Sequence, residues 1–230
     1  AYNSQEMLDA IDAQTACVLI ETVQAEAGVL KPEKAWMKAL RAKCDETGCL
    51  LILDEIQCGF GRTGTLWGFE QFGIVPDMVL LGKALGGGMP LGAFIAAQKH
   101  MQLLMDNPVL GHITTFGGHP VSCAAGLAAL DALEEERMLD AVFQKENLFK
   151  ENLQHPGILE LHSAGLLIAV KLRDAPTVVA TLALAMAKGL FSDWFLFAPN
   201  CIRIAPPLNI SDSQIVKACD LLKQCIDEAL

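Results

Sequence analysis

The sequence lacks three features that would place it in other protein classes. It has 17 Lys and Arg against 27 Asp and Glu, a formal net charge of -10 with no long run of like charge. Nucleic-acid and membrane surfaces draw on clustered basic residues, so neither partner is expected. No apolar stretch reaches membrane-spanning length, and residues 1–20 lack a basic start followed by an apolar core. We therefore expect a soluble chain.

The eight cysteines are scattered and include no CxxC pair. Cys44 and Cys49 come closest, but no second pair at metal-site spacing accompanies them. His112 and His119 also lack a third ligand nearby in the sequence. Buried free thiols in a reducing compartment explain the pattern better than disulfides or zinc. The sequence thus predicts a cytoplasmic protein without a metal site.

Apolar segments rich in β-forming residues predict strands at 17–20, 50–53, 78–81 and 92–97. Three of them are apolar throughout, as is typical of strands covered on both faces. A helix separates the first two strands, with Pro32 expected in its first turn and Gly48 as its stop. Strand, helix and strand at this spacing form a βαβ unit, so a largely parallel sheet in an α/β fold is predicted.

The composition changes after Pro120 to Ala-rich helical stretches and short strands. Helices are predicted over 122–137 and on to about 153, then a strand at 166–172, a helix at 178–188 and a strand at 201–205. The last helix opens with a capping box formed by Ser211 and Gln214. We place a boundary near 120–150, followed by a smaller α+β unit.

Asp54 follows the apolar LLIL segment, at the carboxyl end of a predicted parallel strand. Open α/β sheets collect ligands at that edge, and a carboxylate there can hold a pyridine nitrogen protonated. The LLILDE string also resembles the Walker B strand of ATPases, in which the acid holds magnesium. No GxxxxGKS/T motif is present, but these six residues alone leave the two interpretations equal.

Lys83 follows the next strand, and so belongs to the same edge of the sheet as Asp54. Its neighbours are apolar or glycine, which predicts a water-poor setting and a backbone that a ligand can approach closely. A desolvated lysine has a lowered pKa and becomes a nucleophile for Schiff-base formation. An acid for a ring nitrogen and a lysine for an aldehyde are the groups that a pyridoxal 5'-phosphate site needs.

Four strings in this order carry a family resemblance: IETVQAEAGV, LLILDEIQCGFGRTG, LLGKALGGGMPLGA and TTFGGHP. They resemble the class III aminotransferases of the ornithine and acetylornithine type, which have the PLP-dependent transferase fold type I. The resemblance covers nearly the whole chain but only the second part of a family member. It implies the C-terminal part of the large PLP-binding domain at 1–120, connecting helices at 121–150 and a small α+β C-terminal domain at 151–230.

The resemblance also implies how the cofactor is bound. Asp54 would pair with the pyridine nitrogen, Gln57 would lie close to the ring hydroxyl, and Lys83 would anchor the cofactor and move the proton. Thr115 would reach the cofactor phosphate of the neighbouring subunit, which implies a homodimer. The adjacent Thr114 would take this role if the match were shifted by one residue. The family's upstream segment holds the phosphate-binding loop and the ring-stacking aromatic residue, and neither is found among these 230 residues.

Arg203 stands alone inside an apolar strand, where it needs an anionic partner, either a substrate carboxylate or a structural salt bridge. The resemblance makes it the arginine that grips the substrate carboxylate, and Glu26 the glutamate that pairs with it otherwise. Arg62 and Thr63 are expected to brace the loop between catalytic elements. Glu55 is expected to be structural.

The implied activity is ping-pong transfer of an amino group from a basic or Nα-acylated basic amino acid to 2-oxoglutarate. The implied partners are amino acid and 2-oxo acid substrates and a second copy of the chain. Two alternatives stay open: a catalytically incomplete fragment that needs an N-terminal segment, and an ATPase built on the Walker-B-like strand.

Overall fold

The computed structural model describes residues 2–230, which form two compact units. The first unit comprises residues 2–22, 32–60 and 65–137, and the second comprises residues 23–31, 61–64 and 138–230. No helix among residues 2–230 is long and apolar enough to cross a membrane. The functional division into a large domain, connecting helices and a small domain stays a prediction.

The first unit contains a four-stranded sheet in the order β1 (Cys17–Glu21), β2 (Leu50–Asp54), β3 (Met78–Leu81) and β4 (Ala93–Ala96). The first three strands are parallel and β4 runs antiparallel to β3, so the prediction of a mostly parallel sheet is confirmed. Its helices are α1 (Gln5–Asp9), α2 (Lys34–Thr47), α3 (Gln98–Met101) and α4 (Pro120–Glu135).

Helix α2 supplies much of the first unit's core. It buries Trp36, Met37, Leu40 and Cys44 against apolar side chains of β1 and β2, and it ends at Gly48 in the left-handed conformation. Pro32 precedes the helix rather than lying in its first turn, because Glu33 is already the N-cap. The expectation that β1 is covered on both faces is also wrong, because Leu19 lies outside this core and is 58% exposed.

The second unit contains an antiparallel sheet built from β5 (Glu160–Ala164), β6 (Leu167–Lys171), β7 (Asp193–Phe195) and β8 (Ala198–Ile204), in the order β5-β6-β8-β7. Helices α5 (Val142–Asn152), α6 (Ala175–Ala187) and α7 (Asp212–Ala229) complete it. The core joins apolar residues of β6 and β8 to the buried faces of the three helices.

The capping box that opens α7 is confirmed. The Ser211 hydroxyl accepts from the Gln214 amide at 3.3 Å, and the Gln214 side chain accepts from the Ser211 amide at 2.9 Å. Strands β5 and β7 were not predicted, because β5 is half polar and β7 has only three residues.

Candidate active site

Asp54 ends β2 and pairs in register with Leu80 of the parallel strand β3. It is half-buried, and its Oδ1 accepts a hydrogen bond from the Ile56 amide at 2.8 Å. Its second carboxylate oxygen, Oδ2, forms no hydrogen bond with any residue of 2–230. One oxygen is therefore held by the backbone, and the other is available at the carboxyl edge of the sheet.

Lys83 lies just after β3, at the same edge, and opens a 3₁₀ turn that runs from Lys83 to Gly86. Its φ is +48°, in the left-handed region where residues other than glycine are strained. The predicted water-poor setting is wrong, because the Lys83 side chain is exposed. Its apolar neighbour Leu81, by contrast, is buried.

The glycine-rich turn after Lys83 packs against helix α4. Gly87 has a φ of +57°, and a Cβ there would collide with the Ala125 carbonyl oxygen of α4. The sequence predicted that a ligand would approach the backbone closely here, but at Gly87 helix α4 makes that close approach. A Cβ at Gly88 would meet only open space, so the backbone is accessible there.

The other two predicted cofactor residues also belong to the first unit. Gln57 is half-buried just beyond β2, and Thr115 is exposed in a turn that precedes α4. His119 is the N-cap of α4, where its Nδ1 accepts a hydrogen bond from the Val121 amide at 3.3 Å.

Arg203, on β8 in the second unit, is held by two carboxylates. Its Nη1 donates to Oε1 of Glu26 at 2.8 Å, and its Nη2 donates to Oδ2 of Asp193 at 2.6 Å. The guanidinium also lies over the Phe195 ring, 5.5 Å from its centroid. The Glu26–Arg203 pair implied by the resemblance is present, although the role of each residue stays a prediction.

Asp193 was not identified from the sequence. It is the register partner of Arg203 in the β7–β8 pair. Recognition of β7 as a strand that pairs with β8 would have found it, but a three-residue strand gives little periodic signal. Arg203 and Asp193 also line a cavity of about 450 Å³, whose wall is mostly apolar.

Glu55, beside Asp54, is 1% exposed and ties the end of β2 to the 3₁₀ turn Gly68–Phe72. Its carboxylate accepts from the Thr22 hydroxyl at 2.6 Å and from the Gly68 and Phe69 amides at 2.9 Å. Burial raises the pKa of the Glu55 carboxyl above its usual range, although these three hydrogen bonds oppose the rise. The contacts are those of a structural residue at the site's edge.

Arg62 fastens the 61–64 loop within the second unit. Its Nη1 donates to the Leu166 carbonyl at 2.9 Å and to the Pro206 carbonyl at 2.7 Å. Burial lowers the pKa of the guanidinium to about 10, so the side chain is still a cation at neutral pH. Arg62 thus braces a loop, as the sequence suggested.

Comparison with known proteins identifies the family. Residues 2–226 match the family described as aminotransferase class-III. The chain belongs to the class-III aminotransferases. This family consists of enzymes that use pyridoxal 5'-phosphate, and its fold is the α/β fold described above.

Two curated proteins are similar in sequence to this class-III chain. The acetylornithine aminotransferase of Caldanaerobacter subterraneus is 35% identical over 97% of this chain and 56% of its own length. The putrescine aminotransferase of Pectobacterium atrosepticum is 39% identical over 91% of this chain and 47% of its own length. The class-III chain therefore spans about half the length of the curated relatives it matches.

Solved structures agree with the assignment. The ornithine aminotransferase of Toxoplasma gondii, a structure with partial occupancy of PLP at its active site, has a TM-score of 0.87 and 31% identity, over 97% of this chain and 53% of its own. The N-acetylornithine aminotransferase of Stenotrophomonas maltophilia has a TM-score of 0.84 and 30% identity, over 99% of this chain and 61% of its own.

The first unit of the class-III chain has three residues whose chemistry fits parts of the cofactor. Oδ2 of Asp54 suits a protonated ring nitrogen, and Lys83, an exposed residue with a primary amine, follows the adjacent parallel strand. The exposed Thr115 hydroxyl can donate to a phosphate oxygen. The residues present therefore fit pyridoxal phosphate at its ring nitrogen, aldehyde and phosphate.

Proposed function

We propose that the chain acts in a PLP-dependent aminotransferase that moves an amino group from a basic or Nα-acylated basic amino acid to 2-oxoglutarate by a ping-pong mechanism. The observation that carries the proposal is the placement of Asp54 and Lys83 after neighbouring parallel strands of a class-III chain. Relatives named for acetylornithine and putrescine support an amine-bearing donor.

Bound pyridoxal phosphate supplies an electron-accepting ring that stabilises negative charge at the substrate carbon that bears the transferred amino group. Asp54 would keep the proton on the ring nitrogen by charge pairing through Oδ2. Lys83 would hold the cofactor aldehyde through Nζ, and the same atom would take and return the proton of the substrate carbon. Gln57 would hydrogen bond near the ring hydroxyl, and Thr115 would donate to the phosphate of the cofactor in the neighbouring subunit of a homodimer.

The second unit supplies the substrate groups. Arg203 binds a carboxylate with its planar fork, and Glu26 occupies one side of that fork at 2.8 Å when no such carboxylate is bound. A ping-pong reaction needs this alternation, because donor and acceptor occupy one site in turn. A basic donor leaves the Glu26–Arg203 pair closed, and 2-oxoglutarate opens it.

Borohydride reduction in the presence of pyridoxal phosphate tests the proposal. Intact mass and peptide mapping should show one pyridoxyl adduct, on Lys83, in the parent chain and in the control Lys99→Ala, and none in Lys83→Ala. Lys99 is an exposed lysine of the same unit. The ATPase alternative would instead be supported if no adduct formed and the chain hydrolysed ATP with magnesium, with this activity lost in Asp54→Asn. Family membership favours the aminotransferase over the ATPase.

One observation favours a second candidate, an aminotransferase chain that is catalytically incomplete alone. The chain spans about half the length of its curated relatives. The adduct yield and the half-reaction of the 230-residue chain should then rise when an N-terminal segment from a relative is supplied. Sedimentation of both preparations would test the homodimer. The cytoplasmic location stays a prediction.

A further inference from the structure

We propose that Asp193 determines specificity: with Glu26 it clamps Arg203 and favours donors that present a cation there, such as diamines, over ligands that present a carboxylate. The proposal rests on the proposed function, because it assigns Arg203 to substrate binding. All the residues it uses belong to the second unit.

Both sides of the Arg203 fork are occupied. Glu26 takes Nη1 at 2.8 Å and Asp193 takes Nη2 at 2.6 Å. A guanidinium binds a carboxylate best through two parallel N–H donors, one from each side. An incoming carboxylate must therefore displace Asp193 as well as Glu26 before it can bind in that geometry.

Each carboxylate is also fixed by the backbone. Oε2 of Glu26 accepts from the Leu196 amide at 3.0 Å, and Oδ1 of Asp193 accepts from the Trp194 amide at 2.8 Å. The Ser192 hydroxyl donates to the Arg203 carbonyl at 2.5 Å, which holds the two strands together beside the clamp. Both carboxylates are thus in place before any ligand arrives, and neither must be ordered by binding.

The charge balance gives the clamp its preference. Arg203 pairs with two carboxylates, so Asp193 adds a negative charge beside the guanidinium that attracts a ligand cation and repels a ligand anion. Asp193 is the more accessible of the two acids, with 46% of its side chain exposed against 18% for Glu26. A ligand that arrives from solvent therefore reaches Asp193 more readily than Glu26.

A purely structural role for Asp193 predicts the opposite result. If Asp193 only positioned Arg203, its removal would misplace the guanidinium and weaken carboxylate binding. If Asp193 competes with the ligand carboxylate, its removal strengthens binding. The direction of the change distinguishes the two roles.

The experiment titrates glutarate, an unreactive dicarboxylate, into the PLP-loaded protein by calorimetry, and measures the half-reaction with 1,4-diaminobutane by absorbance. Asp193→Asn should bind glutarate about fivefold more tightly and show a KM for the diamine about fivefold higher, as expected for one partly exposed charge. Asp193→Glu, which restores the charge, should return both values to within about twofold of the parent. Glu151→Gln removes an exposed acid from α5 and should change neither.

Unchanged or weaker glutarate binding in Asp193→Asn overturns the proposal, as does the absence of glutarate binding in every variant. Asp193→Ser serves as the second neutral variant if the asparagine variant does not fold, judged by circular dichroism. A parent protein that shows no half-reaction with any amine, even when an N-terminal segment from a relative is supplied, refutes the proposed function itself. That result can be told apart from failure of the present proposal, because the comparison of glutarate affinities between parent and variants does not require transamination.

Discussion

The hydroxyl of Thr22 donates to Oε1 of Glu55 at 2.6 Å, from the residue that follows β1 to the residue that follows β2. Both side chains are buried, and both lie at the edge of the sheet where Asp54 ends its strand. The bond connects the ends of two parallel strands by side chains, in addition to their backbone ladder. It therefore restrains the backbone that carries Asp54.

Replacement of Thr22 by Val should lower the free energy of unfolding of the first unit by about 1–2 kcal/mol, because a buried carboxylate loses a donor. Urea titration monitored by Trp fluorescence measures it. The matched control is Thr47→Val, in which the lost hydroxyl is half-buried and donates to the Lys43 carbonyl within α2. If the two variants lost equal free energy of unfolding, the hydrogen bond to Glu55 would contribute no more than an ordinary helix hydroxyl contact.

The same variant should show a defined pH dependence. Burial raises the pKa of Glu55 above its ordinary 4.5, so its contribution to stability is full below pH 4.5 and is lost as pH rises through the raised folded pKa. The Thr22 hydroxyl favours the carboxylate, so Thr22→Val should raise this pKa further. The destabilisation should be largest at pH 7 and shrink toward pH 4.5; a pH-independent difference would argue against this linkage.

Lys83 holds a left-handed backbone conformation, with a φ of +48°. Lys83→Gly should therefore be more stable to urea than Lys83→Ala by about 1 kcal/mol, because glycine adopts positive φ without a steric penalty. Neither variant should keep a pyridoxyl adduct.

Lys99 provides the matched pair for this comparison. It lies in helix α3 and is not among the residues with positive φ, so glycine brings only its entropic cost there and Lys99→Gly should be the less stable of its pair. If glycine is also the less stable substitution at Lys83, the strain at that position is refuted.

The sequence predicted the edge of the first sheet well, because parallel strands align their carboxyl ends and Asp54 and Lys83 each follow one. It did not predict that Lys83 is exposed, since apolar neighbours in a sequence do not say which way a side chain points from a left-handed turn. The pair of Glu26 and Arg203, 177 residues apart, came from family resemblance alone. Asp193 was missed because a three-residue strand has no readable period.

His119 caps helix α4 through its Nδ1, which accepts from the Val121 amide. His119→Ala should cost about 1 kcal/mol of unfolding free energy, and His119→Asn should cost nothing, because asparagine is among the best N-caps. Glu33, the N-cap of α2, makes no side-chain capping bond, so Glu33→Ala should change stability little. A similar loss in His119→Asn and His119→Ala would show that the ring is needed for something other than capping.

A position can require glycine because its φ is positive or because backbone atoms leave no space for a Cβ. Gly165 and Gly189 allow these two reasons to be distinguished. Both have positive φ, +60° and +85°, but a Cβ at Gly165 would lie 2.6–2.8 Å from backbone atoms of Arg62 and Thr63, whereas a Cβ at Gly189 would meet nothing within 4 Å. Gly189→Ala should therefore cost about 1 kcal/mol, from conformational strain alone. Gly165→Ala should cost about 3 kcal/mol or more, because backbone atoms must also move, and this shift would disturb the carbonyls that Arg62 binds. Urea titrations of both variants, monitored by circular dichroism, measure the difference, and equal losses would mean that the 61–64 loop does not pack tightly against the β5–β6 turn.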